Sequence, residues 1–142
     1  MQNIESKDYY QARSKKIPGR NYGAVVKAAR RDYNKIVSRT RRNPYIRSSY
    51  FNKEKIFLSL FWQHVMEKHR GERKRRLQLF NCAVELLENT HVAPFTRPNP
   101  NGRNELVHRF TGITGDGDMF YVQVKEELKT KRKYLISVFP KK

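Results

Sequence analysis

The feature of the sequence that most restricts the fold is a pair of alternating segments joined by a tight turn, in the stretch HRFTGITGDGDMFYVQVKEE. Successive side chains of a β-strand point to opposite faces, and Phe120, Val122 and Val124 fall on one face of the second segment. The turn GDGD contains an Asp-Gly pair, and glycine readily adopts the positive φ angle that a tight hairpin requires. The pattern predicts antiparallel strands at residues 105–113 and 119–126.

Other segments predict helices before this hairpin and one more strand after it. The run KEKIFLSLFWQHVMEKH is apolar around most of a helix circumference, which predicts a buried helix with Asn52 as its N-cap. A second helix is predicted at residues 72–88, a loop with three prolines at 89–103, and a third strand at 132–139. N-terminal helices packed on a small antiparallel sheet, a meander of three to four strands, make an α+β fold.

The chain is divided, on this interpretation, into a basic segment at residues 1–44 and a folded domain at residues 45–142. Apolar residues at helical spacing in GAVVKAARRDYNKIVSRT predict a short helix within the first segment. We expect a partial helix that orders when a partner binds. An arm lying on RNA, a helix docked on the core and a mostly disordered chain are the alternatives.

The net charge indicates the class of partner. The chain carries 31 Lys and Arg against 13 Asp and Glu, a formal charge of +18. Residues 1–50 contribute +10 (13 basic, 3 acidic) and residues 51–142 contribute +8 (18 basic, 10 acidic), so the charge is not confined to a tail. Self-repulsion at this charge opposes folding and is typical of proteins with a polyanionic partner. We expect RNA as that partner, and an acidic inhibitor or antitoxin protein would also fit.

Other classes of protein are disfavoured. A single cysteine, Cys82, leaves no disulfide framework, and its apolar surroundings predict a buried thiol. No segment is apolar enough to span a bilayer or resembles a secretory signal, so we expect a cytoplasmic protein without a membrane partner. Zinc-ligand spacing, a phosphate-binding loop and a serine-nucleophile signature are all missing, and we expect no metal or cofactor.

One face of the predicted sheet collects cationic, amide and hydroxyl side chains. Because Phe110 is expected to face the helices, Arg109 and Thr111 should point away from them. The second and third strands should add to this outward face Tyr121, Gln123 and Lys125, together with Lys133, Leu135 and Ser137. No acidic side chain is expected among them, and a bound phosphate would relieve repulsion between cations on neighbouring strands. A solvated face whose charges serve solubility is the alternative.

A second basic cluster lies where the helix at residues 72–88 is predicted to begin. It consists of Arg73, Lys74, Arg75 and Arg76. Cations at a helix N-terminus oppose the macrodipole, so a phosphate bound there would offset the cost, and a solvated basic turn is the alternative. This cluster completes the predicted nucleic-acid-binding residues, which also include Thr111, Tyr121, Gln123 and Lys133.

The order of these elements resembles a known nuclease family. The segments FWQHVMEKH, RRLQLFNCAVELL, HRFTGITGDGDMFYVQVKEE and KYLISVFP are similar to the phage- and toxin-associated branch of the barnase–EndoU–colicin–RelE superfamily. The similarity spans residues 45–140. Many members cleave RNA without a metal, using a helix histidine with basic and hydroxyl residues from the strands. The resemblance implies catalytic roles for His64, Arg109, Lys125 and Ser137, although no strand glutamate stands where barnase-like enzymes place one.

The resemblance implies a metal-independent endoribonuclease in which a base deprotonates the 2′-OH and an acid protonates the 5′-oxygen. His64, the one histidine inside the apolar arc of its helix, is expected to be the base or the acid. His69 and His108 are candidates for a second proton carrier, and Arg109 and Lys125 would stabilise the charged transition state. A core role for His64 is the alternative. A non-catalytic RNA-binding protein, with Tyr121 and Phe139 as stacking rings, and a basic DNA-binding protein are the competing functions.

Overall fold

The computed structural model describes residues 8–19 and 21–141. The strands are β1 (Tyr10–Gln11), β2 (Tyr45–Ser48), β3 (Glu54–Phe57), β4 (Phe95–Pro98), β5 (Glu105–Ile113), β6 (Met119–Glu127) and β7 (Lys133–Pro140). The helices are α1 (Tyr22–Arg39), α2 (Ser59–Met66), α3 (Arg70–Gln78) and α4 (Phe80–Asn89). The strands form a single sheet in the order β1-β5-β6-β7-β3-β2, with β4 beside β1 on the outer edge of β5.

The α+β class and the central meander are confirmed, but the predicted size and type of the sheet are wrong. Strands β5, β6 and β7 pair antiparallel within one or two residues of their predicted bounds. The sheet has seven strands and is mixed, because β1 runs parallel to β5 and β3 runs parallel to β7. The extra strands are two to four residues long, too short to produce a clear alternation. One of them, β4, lies in the predicted proline loop.

The first core helix is shorter than predicted because its N-terminal third is a strand. Residues Glu54–Phe57 form β3, and the helix α2 begins only at Ser59. Asn52 is not its N-cap: Asn52 and Lys53 have φ angles of 56° and 68° in the turn between β2 and β3. A continuous apolar run is compatible with a buried strand as well as with a helix, and the run from Ile56 contains both.

The second predicted helix is two helices that meet at Leu79. Helix α3 begins at Arg70, with Gly71 inside it, and the His69 side chain is its N-cap. The α3 helix therefore ends two residues after Arg76, and Arg75 and Arg76 lie in its last turn. Cations in that position interact favourably with the macrodipole, so the predicted conflict at a helix N-terminus is wrong for these two residues.

Helix α1 belongs to the same hydrophobic core as the rest of the protein. Its side chains Val25, Ala29 and Ile36 are buried in the core cluster that also contains the β5–β7 residues. Tyr33 packs edge-on against Trp62 of α2, with ring centroids 4.7 Å apart. The predicted division between residues 1–44 and 45–142 therefore separates residues that share one core. Residues 1–7, Arg20 and Lys142 lie outside the described part of the chain.

Two further predictions from the sequence concern the environment of Cys82 and membrane-spanning helices. Cys82 is buried as predicted, its Sγ lies 3.3 Å from the carbonyl oxygen of Ser14, and burial raises the pKa of the thiol to about 12. Within residues 8–19 and 21–141, no helix combines the length and the apolar character that crossing a membrane requires.

Candidate nucleic-acid interface

A β-bulge in β7 determines which side chains face away from the helices. Gln123 pairs with Ser137 but the next residue, Val124, pairs with Leu135, so Ile136 is an extra residue in β7. The bulge places both Leu135 and Val138 in the core and turns Tyr134 and Ser137 outward. The outward position of Ser137 is confirmed. The outward positions predicted for Lys133 and Leu135 are wrong, because strict alternation does not continue through a bulge.

Three of the predicted site residues form one row across the sheet. Arg109 of β5 pairs with Gln123 of β6, and Gln123 pairs with Ser137 of β7. Neighbouring strands lie about 4.8 Å apart, so the row extends roughly 10 Å from the Arg109 backbone to the Ser137 backbone. The face of the sheet that carries this row is called the outer face below. Thr111 and Tyr121 also pair across strands on this face.

The end of this row opens into a cavity of about 860 Å³ between α3 and β7. Its polar lining consists of Lys68, Glu72, Arg75, Arg76, Gln123, Ser137 and Lys141, and Phe139 and Pro140 add apolar surface. Four cations and one carboxylate surround it, and we call it the basic cavity. It unites residues of the predicted cationic helix with the predicted hydroxyl and amide of the strands. Lys68, Glu72 and Lys141 were not predicted.

Arg76 connects the helix to the strand inside the basic cavity. Its Nη1 donates to the Ser137 Oγ at 3.0 Å and its Nε donates to a Glu72 carboxylate oxygen at 2.8 Å. Arg75 donates to the other oxygen of Glu72, also at 2.8 Å. These hydrogen bonds, that of Arg75 first, lower the pKa of Glu72 to about 2. The spacing of Glu72 to Arg75 and Arg76, three and four residues along a helix, is a signal from which this cluster could have been predicted.

The two strand cations lie over aromatic rings of the outer face. The Arg109 guanidinium is 5.1 Å from the Tyr121 ring centroid and 5.7 Å from that of Phe95. The Lys125 Nζ is 5.2 Å from the Tyr134 ring centroid and 3.5 Å from a Glu105 oxygen. The expectation that no acid accompanies these cations is therefore wrong for Lys125.

His64 is exposed, and the expectation that it lies buried in an apolar arc is wrong. Helix α2 buries Phe61, Trp62 and Val65, and its other side faces solvent. The His64 Nδ1 is 3.4 Å from the carbonyl oxygen of Ile136, the bulge residue that precedes Ser137. The imidazole therefore lies one residue along β7 from the hydroxyl of the basic cavity.

The two histidines predicted as second proton carriers, His69 and His108, occupy structural positions. His69 accepts a hydrogen bond from the Glu72 backbone N–H at 3.5 Å, as the N-cap of α3. His108 is buried on the core side of β5, where its Nδ1 is 2.7 Å from the Thr96 Oγ1 and its Nε2 is 2.8 Å from a Glu126 oxygen. His108 and Arg109 therefore point to opposite faces of the sheet, and the structure does not bring His108 together with the other predicted site residues.

Two of the predicted nucleic-acid-binding cations are also held within the protein. Lys133 is 4% exposed, and its Nζ contacts Glu54 and the carbonyl oxygen of Lys131. Arg73 donates to the Tyr22 hydroxyl and to the carbonyl oxygens of Met66 and Lys68, which ties α1 to the α2–α3 junction. Lys74 lies half-buried on α3.

The described residues contain no group of three or more His, Cys, Asp or Glu side chains placed to hold a metal ion. No family model, curated protein or solved structure matches this chain.

Proposed function

We propose that the outer face of the sheet and the basic cavity bind single-stranded RNA. The observation that carries the proposal is the composition of the basic cavity. Four cations line it, and its one carboxylate, Glu72, already has hydrogen bonds from two of them. Lys68 and Lys141 are exposed in the same lining. A phosphate would supply the additional negative charge and accept hydrogen bonds from arginine.

The aromatic side chains of the outer face favour an unpaired strand over a duplex. Phe95 is 60% exposed, and the Tyr121 and Phe139 rings lie beside each other with centroids 5.4 Å apart. Bases of a single strand stack on such rings without regard to sequence, whereas the bases of a duplex are already stacked on one another. Arginine beside the rings, as Arg109 and Arg76 are here, adds a cation for the backbone.

RNA cleavage without a metal is the second candidate function, and the position of His64 favours it. The imidazole is accessible to solvent and lies at the same edge of β7 as Ser137 and Arg76. In this proposal His64 transfers a proton to or from the RNA, Arg76 stabilises the charged phosphorane, and Ser137 and Gln123 orient the phosphate. Arg109, two strands away from Ser137, contacts a neighbouring phosphate of the same RNA. Lys125 adds positive charge further along β6. An acidic inhibitor protein would recognise the same surface.

Binding is tested with labelled single-stranded RNA and the variant Arg76→Gln. We expect the loss of one phosphate-binding cation to weaken affinity about tenfold and to reduce the slope of log affinity against log salt by about 0.7. Arg31→Gln on α1 is the control, because it removes the same charge from an exposed position away from the cavity. Equal losses in the two variants would contradict a site at the cavity, and preference for duplex DNA would contradict single-stranded RNA.

Cleavage is tested on the same RNA in EDTA. We expect products with 2′,3′-cyclic phosphate ends from the wild-type protein and at least a hundredfold slower cleavage by His64→Gln, because removing a general acid or base costs about that much. His91→Gln, which changes an exposed histidine of the α4–β4 loop, is the matched control. Binding without products in the wild type would leave the RNA-binding function and remove the catalytic one.

A further inference from the structure

A second basic groove lies at the β2–β3 edge of the sheet. It has a volume of about 580 Å³ and lies between the C-terminal end of α1, the chain that follows it, and strands β2 and β3. Its cations are Arg39, Arg41, Arg42, Lys55 and Arg132, and Tyr45 and Phe57 form its aromatic wall. The residues that line it include no carboxylate. We call it the distal groove.

The aromatic wall of the distal groove belongs to a row of rings on the outer face. Tyr45 of β2 pairs with Phe57 of β3, and Phe57 pairs with Tyr134 of β7. The ring centroids are 6.2 Å apart for Tyr45 and Phe57 and 5.9 Å apart for Phe57 and Tyr134. All three side chains are partly exposed. This aromatic row crosses three adjacent strands.

Cations stand at both ends of the aromatic row. Lys55 lies 4.6 Å and Arg47 lies 5.4 Å from the Tyr45 ring centroid. At the other end Lys125 lies 5.2 Å from the Tyr134 ring centroid. Rings flanked by cations offer stacking surfaces for bases next to positive charge for a phosphate backbone.

The aromatic row continues directly into the proposed RNA site. Lys125 pairs with Tyr134, and two residues back along β6 Gln123 pairs with Ser137 of the basic cavity. The row that ends in the basic cavity and the row that ends in the distal groove are therefore neighbours on one face. A single-stranded RNA that enters the basic cavity can therefore extend over the rings of the aromatic row and reach the distal groove along the outer face.

We propose that the aromatic row and the distal groove are a second subsite for the same single-stranded RNA, an inference that rests on the proposed function. Tyr134, Phe57 and Tyr45 stack unpaired bases, and the arginines of the distal groove contact the phosphates that follow. The positive charge of the distal groove favours a polyanionic ligand, and its aromatic rings favour a polyanion whose bases are unpaired and free to stack. The RNA bound by the protein is accordingly an unpaired segment long enough to reach from one basic site to the other.

The experiment compares RNA of two lengths. Single strands of about 4 and about 12 nucleotides are chosen because one is long enough for a single site and the other for both. We expect the wild-type protein to bind the longer strand at least tenfold more tightly. The double variant Arg41→Gln/Arg42→Gln should lose most of that advantage and keep its affinity for the short strand. Lys27→Gln/Arg31→Gln removes two charges from α1 as the control and should change both affinities only slightly.

The rings are tested separately from the charges. Tyr45→Leu and Phe57→Leu keep apolar volume but remove the stacking surface, and each should weaken the longer strand about fivefold or more without changing the short one. Circular dichroism and thermal unfolding establish that each variant is folded. A ring variant that is unfolded is replaced by Tyr134→Leu, which probes the other end of the same aromatic row.

Equal losses for both lengths, or equal losses in the α1 control, would overturn the second subsite and leave a diffuse electrostatic effect. A duplex that competes as well as the single strand would overturn stacking on the rings. If Arg41→Gln/Arg42→Gln lost binding to polyglutamate but kept its binding to RNA, the distal groove would be assigned to an acidic protein instead. Failure of the proposed function is distinguishable from these outcomes. In that case the wild-type protein would bind neither RNA, or the Arg76→Gln variant would bind RNA as tightly as the wild type.

Discussion

The two faces of the β5–β6–β7 sheet differ in how completely their charged side chains are paired with groups of opposite charge. On the core side His108 contacts Glu126 at 2.8 Å, the other Glu126 oxygen is 3.7 Å from the Lys133 Nζ, and Lys133 also contacts Glu54. Each charged group there has a partner of opposite sign. On the outer face Lys125 has Glu105 at 3.5 Å, but the larger cation, Arg109, lies on the Tyr121 and Phe95 rings and has no carboxylate partner among the ion pairs of the described residues.

The difference follows from the cost of burial. A charge removed from water needs a partner, so the core side carries a chain of matched groups. A cation at the surface keeps its water and needs none, which leaves the outer face able to accept an external anion. The core-side charges are therefore expected to determine stability and the outer-face charges to determine binding.

The largest effect is expected on the core side, for Lys133→Met. Met fills a similar volume but leaves Glu126, whose side chain is 12% exposed, without its cation. Breaking a buried pair in this way should lower the free energy of unfolding by about 3 kcal/mol, measured by chemical denaturation. The affinity of the folded variant for RNA should not change, because the Lys133 amine does not reach the outer face.

The double variant Lys133→Met/Glu126→Gln is the control for this prediction. The amide introduced at position 126 can still hydrogen-bond with His108 but carries no unpaired charge, so part of the lost stability should return. A single variant as stable as the wild type would mean that the core-side chain contributes nothing. A change in RNA affinity would mean that the two faces are not separate.

The regular part of this sheet could be predicted from the sequence, and the irregular part could not. Period-two alternation and the Asp-Gly turn place β5 and β6 correctly, and Gly117 in that turn has the expected positive φ of 96°. The bulge at Ile136 leaves no mark in the residue pattern, so strict alternation assigns Lys133 to the wrong face. A pattern that treats β3 and α2 as one continuous helix assigns the wrong face of α2 to the core and therefore predicts a buried His64.

The candidate site shows the same limit. Arg76 and Ser137 are 61 residues apart in the chain, and only the packing of α3 against β7 brings them together. A local pattern identifies each of them as a polar residue on a particular element. It does not show that they share a cavity, and it does not show that Arg73, three residues before Arg76, is held by backbone carbonyls instead.

A tenfold effect on binding is expected on the outer face, for Arg109→Gln. If RNA phosphates contact this exposed guanidinium, its loss should weaken affinity for single-stranded RNA up to about tenfold, or ~1.4 kcal/mol, and should reduce the salt dependence. The free energy of unfolding should fall by no more than about 1 kcal/mol, because Arg109 makes two exposed cation–π contacts of about 0.5 kcal/mol each. Titration at several salt concentrations measures the first effect and denaturation the second. A stability loss as large as that of Lys133→Met would abolish the contrast between the faces.

Glu72→Gln probes the one place where a cavity cation is matched internally. The pKa of Glu72 is lowered from the usual 4.5 to about 2, so the stability that its carboxylate contributes is complete above about pH 4.5 and is lost as the pH falls towards 2. At pH 7 the variant should be about 1 kcal/mol less stable than the wild type, and the difference should shrink as the pH falls through 2. Freed from Glu72, the cavity cations should bind RNA up to about threefold more tightly. A difference in stability that is constant from pH 2 to pH 7 would contradict the ionic origin.

The smallest effect is expected for Phe95→Ala, which removes one of the two rings beneath Arg109. A cation–π contact at an exposed site is worth about 0.5 kcal/mol, and both the stability and the RNA affinity should fall by no more than that. Leu128→Ala, at an exposed apolar residue in the turn between β6 and β7, is the control for loss of surface apolar area. If Phe95→Ala weakens RNA binding while Leu128→Ala does not, the ring contributes by stacking on a base or by holding Arg109. The salt dependence of RNA binding by Phe95→Ala separates these two explanations. Loss of base stacking leaves the slope of log affinity against log salt unchanged, whereas displacement of Arg109 from a phosphate reduces that slope.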